Sequence, residues 1–254
     1  MLKKTVFRSQ AGSNPVAIYQ PSLVISAHAL PAVPVFPETV LLLELEAQEP
    51  CADLRRLSQV VLSDLGATLQ ILRLAGREYG NTEDRPNRIE DCISDLGLRP
   101  CLNAVATQIT ARSDRRSEIA EIWKHSGEIA HHSRIIAEDI PEVNPEDAFL
   151  VGLLHAIGLL PALLGWNGRE ADAFESAQIA FTMATQWSLP HVVVDAFRAM
   201  CCASEGSEWT AILMSAHQRA IATSIDCPYR QEARPFLYKL VQGDFSVYAG
   251  SVSV

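Results

Sequence analysis

The sequence predicts an all-α fold, and three observations carry that prediction. Apolar residues recur at helical spacing along most of the chain, as in DLRRLSQVV, where Leu54, Leu57 and Val61 stand at i, i+3 and i+7. Helix-start signals precede several of these runs. Alternation typical of strands is confined to QGDFSVYAGSVSV at the carboxyl end, and no repeat with a period of about 20 to 50 residues occurs.

The first predicted helix follows a proline-rich lead-in. LPAVPVFPET holds three prolines within residues 31–37, which enforces an extended chain before Thr39 can cap a helix. In the next long segment, SDLGATLQILRLAG, Asp64 is a predicted N-cap. Gly76 or Gly80 is predicted to end that helix.

Two further helix starts are predicted downstream. Asn87 with Glu90 three residues later forms a variant of the capping box and opens RIEDCISDLGL. NPEDAFL contains the strongest start signal of the chain, since Asn144 suits an N-cap and Pro145 suits the first helical turn.

A charge-free run, LVGLLHAIGLLPALLGW, occupies residues 150–166 and approaches the length of a membrane span. Glycines and a proline interrupt it, and its upstream flank is acidic rather than basic. These features favour a buried helix from about Pro145 to Ile157 that breaks at Gly158 and leads into a second helix. The sequence therefore predicts no membrane span, and His155 is predicted to lie in a core helix.

Composition excludes several classes of partner. The net charge is −9, with 48% apolar and 20% charged residues, so a general nucleic-acid or anionic-membrane surface is not expected. The arginines of ARSDRRSE (Arg112, Arg115 and Arg116) are interpreted as a solvated loop at a helix start. None of the six cysteines forms a C-x-x-C pair, and the amino terminus lacks a secretory pattern. Reduced thiols and a cytoplasmic location are expected.

Histidines supply the candidate chemistry. In SEIAEIWKHSGEIAHHSRIIAEDI, His125 and His132 are seven residues apart and border an apolar face, whereas His131 is predicted to be solvated. Such histidines are more often structural than ligating, and a site requires His125 to meet His155 in space. Ala156 follows His155 and offers no ligand, although a hydrolytic metal centre needs carboxylate oxygens. From the residues alone, the catalytic signal is weak.

The chain resembles the HDOD domain, a bacterial signalling module related to the HD-domain metal-dependent phosphohydrolases, over roughly residues 28–220. Five segments in the family's order carry the resemblance: LPAVPVFPETVLLLELEAQEPCADLRRLSQVVLSDLGATLQILRLAGREYG, RIEDCISDLGLRPCLNAV, IWKHSGEIAHHSRIIAE, EDAFLVGLLHAIGLL and TQWSLPHVVVDAFRAMCC. The resemblance implies an all-α, two-lobed domain whose second lobe is a degenerate HD-like bundle.

The resemblance also implies a domain division. Residues 1–27 form an amino-terminal tail, and residues 28–225 form the HDOD-like domain. That domain divides into a helical lobe over 28–116 and the HD-like lobe over 117–225, and residues 226–254 form a carboxyl-terminal tail.

Departures from the family pattern concern its metal ligands. Ala156 stands where the HD signature has its aspartate, and Leu65 and Gly76 replace a proline and an asparagine. Cys201 and Cys202 stand where the family often has a histidine pair. Only His125 and His155 carry over as metal-ligand candidates, while His217 aligns loosely with a late aspartate ligand. The predicted relic pocket consists of His125, His132, His155, Ala156, Cys201 and Cys202.

Three functions follow from the resemblance, and the first of them is preferred. The first is a non-catalytic bacterial regulatory module that contacts other signalling proteins, or a second copy of itself, and uses no cofactor and no catalytic residue. The second is a metal-dependent phosphohydrolase with an altered ligand set of His125, His155 and His217. The third is a protein that binds a nucleotide second messenger without turnover.

Overall fold

A computed structural model describes residues 33–49, 52–80, 82, 85–107, 116–164, 166, 173–201 and 207–223. These ranges form helices and contain no strand, so the all-α prediction is confirmed for them. The predicted tails, 1–27 and 226–254, lie outside the described residues, as do Arg112, Arg115 and the alternating stretch QGDFSVYAGSVSV.

The helices fall into two groups by their mutual contacts. The N-terminal group comprises α1 (Pro37–Gln48), α2 (Leu54–Leu62), α3 (Leu65–Tyr79), α4 (Ile89–Leu96) and α5 (Leu98–Ala106). The C-terminal group comprises α6 (Arg116–Ala137), α7 (Pro145–Leu154), a 3-10 turn (Ile157–Leu159), α8 (Leu160–Leu163), α9 (Ala173–Gln186), α10 (His191–Cys201) and α11 (Glu208–Thr223). The boundary at 116/117 stays a prediction, because residues 108–115 are outside the described part.

One hydrophobic core runs through both groups. Leu57 and Leu69 of the N-terminal group and Ile122, Leu154 and Phe197 of the C-terminal group are fully buried members of it. Burial of such side chains supplies the main driving force for folding. The two groups therefore share an apolar interior.

Asp64 is the polar centre of the contact between the groups. It caps α3 as predicted, since its carboxylate accepts from the backbone N–H of Ala67 at 3.2 Å. The same carboxylate accepts from the Phe36 N–H at 2.8 Å, the Thr39 hydroxyl at 2.9 Å and the Trp123 indole N–H at 2.8 Å. The predicted cap role of Thr39 is wrong, because α1 already begins at Pro37 and the Thr39 hydroxyl serves Asp64 instead.

Two predicted helix ends, one at Gly80 and one at Asn144, are confirmed, and each residue directly adjoins its helix. Gly80 ends α3 with φ of 64°, and Asn144 caps α7 by accepting from the Glu146 N–H at 2.9 Å. The predicted capping box at Asn87 is wrong, because α4 begins two residues later, after Arg88, without a side-chain cap.

Gly76 lies inside α3 rather than at its end. A Cβ atom there would stand 2.5 Å from the Ser188 carbonyl oxygen, so the residue permits a close backbone approach. That contact brings α3 of the N-terminal group against the turn that precedes α10. The glycine at this position thus has a packing role and no role in ending the helix.

The charge-free run differs in detail from its prediction. Helix α7 ends at Leu154, three residues before the predicted end, and His155 lies just beyond it. Gly158 does not break a helix but sits in the 3-10 turn, where its missing side chain lets the Ser176 backbone of α9 approach. Within the described ranges, no helix has both the length and the apolar character that crossing a membrane requires.

Two of the cysteines are well defined. Cys92 of α4 and Cys101 of α5 are buried free thiols, as the sequence predicts. Burial raises the pKa of Cys92 to about 12 and that of Cys101 to about 11. Both thiols therefore stay protonated and behave as small apolar side chains at neutral pH.

Candidate functional site

Three histidines from separate parts of the chain meet in the C-terminal group. His125 lies on α6, His155 directly after α7 and His217 on α11, and all three are buried. Their ring centroids lie 5.0–5.3 Å apart. One nitrogen from each ring lies within 4.8 Å of the other two. This cluster, His125–His155–His217, is hereafter the histidine cluster.

Close packing of α6 on α7 brings His155 to His125. Gly152 faces α6, and a Cβ atom on it would lie 2.8 Å from the Ala130 Cα atom. The missing side chain thus lets the two helix backbones approach. His155, one turn beyond Gly152, then reaches His125, with 3.3 Å between their Nε2 atoms.

His217 joins the cluster through the apolar face of α11. Leu213, Ala216 and Ala220 are buried on the same face, and His217 is 2% exposed. The spacing of these four residues is i, i+3, i+4 and i+7, which is a signal that the sequence already contains. The family resemblance aligns His217 only loosely, whereas the helical periodicity of α11 places it in the core.

Backbone carbonyls fix the tautomers of two rings. His155 Nδ1 lies 2.7 Å from the Gly152 oxygen, and His217 Nδ1 lies 2.8 Å from the Leu213 oxygen. A carbonyl only accepts, so both Nδ1 atoms carry the proton and donate. Each neutral ring therefore keeps its Nε2 lone pair, and His125 Nε2–H is the donor toward His155.

Burial favours the uncharged form of His125. Desolvation, followed by the neighbouring His155 and His217 rings, holds the pKa of His125 well below its ordinary value of 6.5. A neutral imidazole retains a lone pair, which is the form that binds metal ions. At neutral pH His125 thus presents a nitrogen lone pair in a buried setting.

Ala156 is buried immediately beside the cluster, with 1% of its surface exposed. Its methyl group offers no oxygen ligand. Because the carboxylate expected from the resemblance is missing here, the position contributes only packing. The sequence already identified this departure, and the structure shows that it falls next to the clustered imidazoles.

The remaining predicted pocket residues do not join the cluster. His132 lies two turns beyond His125 on α6, half-buried, with its ring 5.9 Å from that of His131. Desolvation, His131 and Arg219 lower the pKa of His132. Cys201 ends α10, is half-buried and lies outside the group of candidate ligands, and Cys202 lies outside the described residues.

The donor set does not fit the hydrolytic metal centre of HD-domain phosphohydrolases. Such a centre needs carboxylate oxygens to bridge the ions and balance their charge. Among the described residues, the candidate metal ligands that group together are three imidazoles without a carboxylate. Imidazole nitrogens suit a single ion such as Zn²⁺, Ni²⁺ or Cu²⁺, and they suit Mg²⁺ poorly.

Solved structures of other proteins share the fold. The structure of the MmoQ response regulator from Methylococcus capsulatus strain Bath superposes with a TM-score of 0.60 at 20% identity, covering 89% of this chain and 100% of that one. A virulence factor from Campylobacter jejuni subsp. jejuni gives a TM-score of 0.52 at 16% identity, covering 89% and 93%. Identities this low show a common fold alone.

Among curated proteins, none matches this chain. The sequence model of the HDOD domain, in contrast, matches residues 33–167, which is more than half of the chain. The matched region includes α1 to α8 and two members of the histidine cluster, His125 and His155. On this match, the chain belongs to the HDOD domain family.

Proposed function

We propose that this chain is a non-catalytic regulatory module of bacterial signal transduction that acts through protein–protein contact. The observation that carries the proposal is the histidine cluster beside Ala156, in which imidazoles gather without an oxygen ligand among the described residues. The described part of the chain thus combines an HDOD-family fold with a group of imidazoles that includes no carboxylate ligand.

The lack of carboxylates among the grouped ligands of the described residues argues against metal-dependent phosphoester hydrolysis. Phosphoester hydrolysis in a metal centre depends on a cation that both polarises the phosphoryl oxygen and activates a water. Carboxylates hold hard cations for this task and offset their charge, whereas neutral imidazoles do not. A cluster of three imidazoles without a grouped carboxylate among the described residues therefore favours a binding or structural role over turnover.

The signalling part of the proposal is supported by one relative. MmoQ, whose fold this chain shares, is described as a response regulator. HDOD-family kinship and this likeness agree with a regulatory role in a bacterium. A module of this kind has to pass its signal to another protein, so a contact surface is required.

The outer face of α1 has the character of such a surface. Leu41, Leu42 and Leu45 are 56%, 49% and 52% exposed, and they lie within two turns of one helix. Scattered exposed leucines are normal, but adjacent ones form a patch that marks interaction sites. Glu44 is exposed at the edge of this patch. We infer a protein partner that presents apolar side chains with a basic rim.

Affinity capture from the native host tests this function. The tagged chain is compared with the double variant Leu41→Glu/Leu45→Glu and with Ile221→Glu, which alters a 43% exposed side chain on α11 as a matched control. Any captured protein is then purified and its dissociation constant measured. The proposal expects the α1 variant to weaken binding at least tenfold and the Ile221 variant to retain it.

Equal binding by all three proteins would overturn the α1 surface. Sedimentation velocity on the same samples separates the two kinds of partner, because loss of a dimer in the α1 variant identifies a second copy of this chain. A monomeric chain that binds no purified partner would overturn the contact function itself.

A further inference from the structure

We propose that His125, His155 and His217 form a binding site for one zinc-class cation that joins α6, the end of α7 and α11. This site does not depend on the partner surface of α1, so either proposal can fail without the other. The ligand set consists of three imidazoles and differs from the carboxylate-containing set of HD-domain hydrolases.

The spacing of the ring nitrogens matches the coordination geometry of zinc. Ligand nitrogens lie about 2.0–2.1 Å from Zn²⁺, and tetrahedral angles place two of them about 3.3 Å apart. The Nε2 atoms of His125 and His155 are 3.3 Å apart. A ligating nitrogen of His217 lies within 4.8 Å of both other rings, so a small ring movement completes the set.

The outer contacts of the rings are those of metal ligands. Metal-bound histidine usually donates its second ring N–H to a carbonyl or carboxylate, which fixes the tautomer. His155 and His217 donate from Nδ1 to the Gly152 and Leu213 oxygens, and both direct an Nε2 lone pair away from those carbonyls. Binding then requires only that His125 carry its proton on Nδ1 instead of Nε2, with no net proton release.

The chemistry of the ligands selects the cation. Three neutral nitrogens favour borderline ions such as Zn²⁺, Co²⁺, Ni²⁺ and Cu²⁺, whereas Mg²⁺ and Ca²⁺ prefer oxygen. A water molecule would complete four-coordination. Because the three rings belong to segments that are distant along the chain, the cation acts as a cross-link within the C-terminal group.

Metal binding to the full-length chain tests the proposal. The protein is stripped with a chelator, dialysed, and titrated with Zn²⁺ by calorimetry, with Co²⁺ by visible absorption, and with Mg²⁺ as the ion that should not bind. We expect one Zn²⁺ per chain and tetrahedral cobalt absorption bands. A hundredfold excess of Zn²⁺ over its Kd should raise the Tm by about 5–10 °C, and Mg²⁺ should leave it unchanged.

Variants locate the ion. His155→Ala and His217→Ala should abolish the Zn²⁺-dependent rise in Tm and the cobalt bands, while His131→Ala, an exposed change on α6, should retain both. His131 is a demanding control because its ring lies beside that of His132, and these two histidines could bind Zn²⁺ adventitiously. His217→Phe keeps the ring volume if the alanine variant fails to fold.

The two sets of variants distinguish a site at the histidine cluster from binding elsewhere on the chain. Loss of binding in the cluster variants with retention in His131→Ala supports the site. Binding that survives both His155→Ala and His217→Phe, binding that is lost in His131→Ala, or less than one Zn²⁺ bound per two chains at saturation would each overturn it.

Discussion

Trp123 donates its indole N–H to the Oδ1 atom of Asp64 across 2.8 Å, and this buried hydrogen bond joins the two groups of helices. Trp123 lies two residues before His125 on α6, while Asp64 caps the start of α3. Arg85 forms a second link, since its guanidinium donates to the carbonyl oxygens of Leu72 and Ser188. His125 of the histidine cluster thus lies on a helix that contacts the N-terminal group through Trp123.

Removing the indole donor should destabilise the fold. We expect Trp123→Phe to lower the free energy of unfolding by about 1–3 kcal/mol, because a buried carboxylate loses one of its charge-assisted partners. Urea unfolding monitored by circular dichroism measures the change. Trp187→Phe is the control, since the buried Trp187 indole N–H has no hydrogen-bond partner within the described part of the chain.

A double-mutant cycle isolates the bond itself. Combining Trp123→Phe with Asp64→Asn should give a coupling energy of about 1 kcal/mol or more. Additive effects of the two substitutions would show that the contact contributes nothing beyond packing.

Adding one methyl group between α6 and α7 should be costly. Gly152→Ala places a Cβ atom 2.8 Å from both the Ala130 Cα and the Ser133 hydroxyl oxygen, so the helices must separate. We expect a loss of about 1–3 kcal/mol in unfolding free energy. Gly127→Ala on α6 meets no atom within 4 Å and should instead stabilise the protein by about 0.5–1 kcal/mol. Equal effects would contradict the close approach.

The buried cluster makes the metal-free protein sensitive to acid. The pKa of His125 lies well below 6.5 in the folded chain because of burial and the two neighbouring rings, and it returns to about 6.5 on unfolding. Between these values the unfolded chain binds more protons, so stability is complete above the unfolded pKa and is lost as pH falls below it.

The acid sensitivity can be measured by urea unfolding with chelator present. We expect the free energy of unfolding to fall by about 1 kcal/mol from pH 7.5 to pH 5.5 through this residue. His125→Asn should reduce that dependence, whereas His191→Asn, an exposed change at the start of α10, should leave it intact. An unchanged pH dependence in His125→Asn would show that His125 is not the titrating group.

Introducing the aspartate of the HD signature at position 156 should lower the free energy of unfolding. Ala156→Asp buries a carboxylate where 1% of the side chain is exposed. Without metal we expect a loss of about 3–5 kcal/mol, because the charge lacks a counter-ion. Zn²⁺ should recover part of this loss, since the cation supplies the opposite charge. Unfolding midpoints with chelator and with Zn²⁺ measure both effects, and an equal midpoint in the two conditions would contradict the account.

Local patterns predicted most of the fold. Helical spacing, the Asp64 and Asn144 caps and the Gly80 stop depend on neighbours within a few residues, and the sequence contains those neighbours. The predicted cap at Thr39 is wrong because its hydroxyl donates to a tertiary partner, Asp64. The predicted cap at Asn87 is wrong because α4 begins two residues later, at Ile89. The early end of α7 was missed because apolar periodicity does not mark where a helix gives way to a turn.

The site was predictable in part. The residue pattern and the family resemblance both pointed to His125 and His155, and a loose alignment pointed to His217. Their meeting depends on helix packing, which spacing along the chain does not encode. His132 was included because it shares a line with His125 on α6, but two turns of helix separate them by about 10 Å along the axis. A shared face therefore did not imply a shared site.

We propose that this HDOD-family chain has no phosphohydrolase activity. Phosphate release from nucleotides, cyclic dinucleotides and simple phosphoesters, measured with the protein preloaded with Zn²⁺, Mn²⁺, Ni²⁺ or Mg²⁺ in turn, tests it most directly. We expect rates indistinguishable from those of His155→Ala under every condition. Turnover that requires metal and disappears in His155→Ala would contradict it.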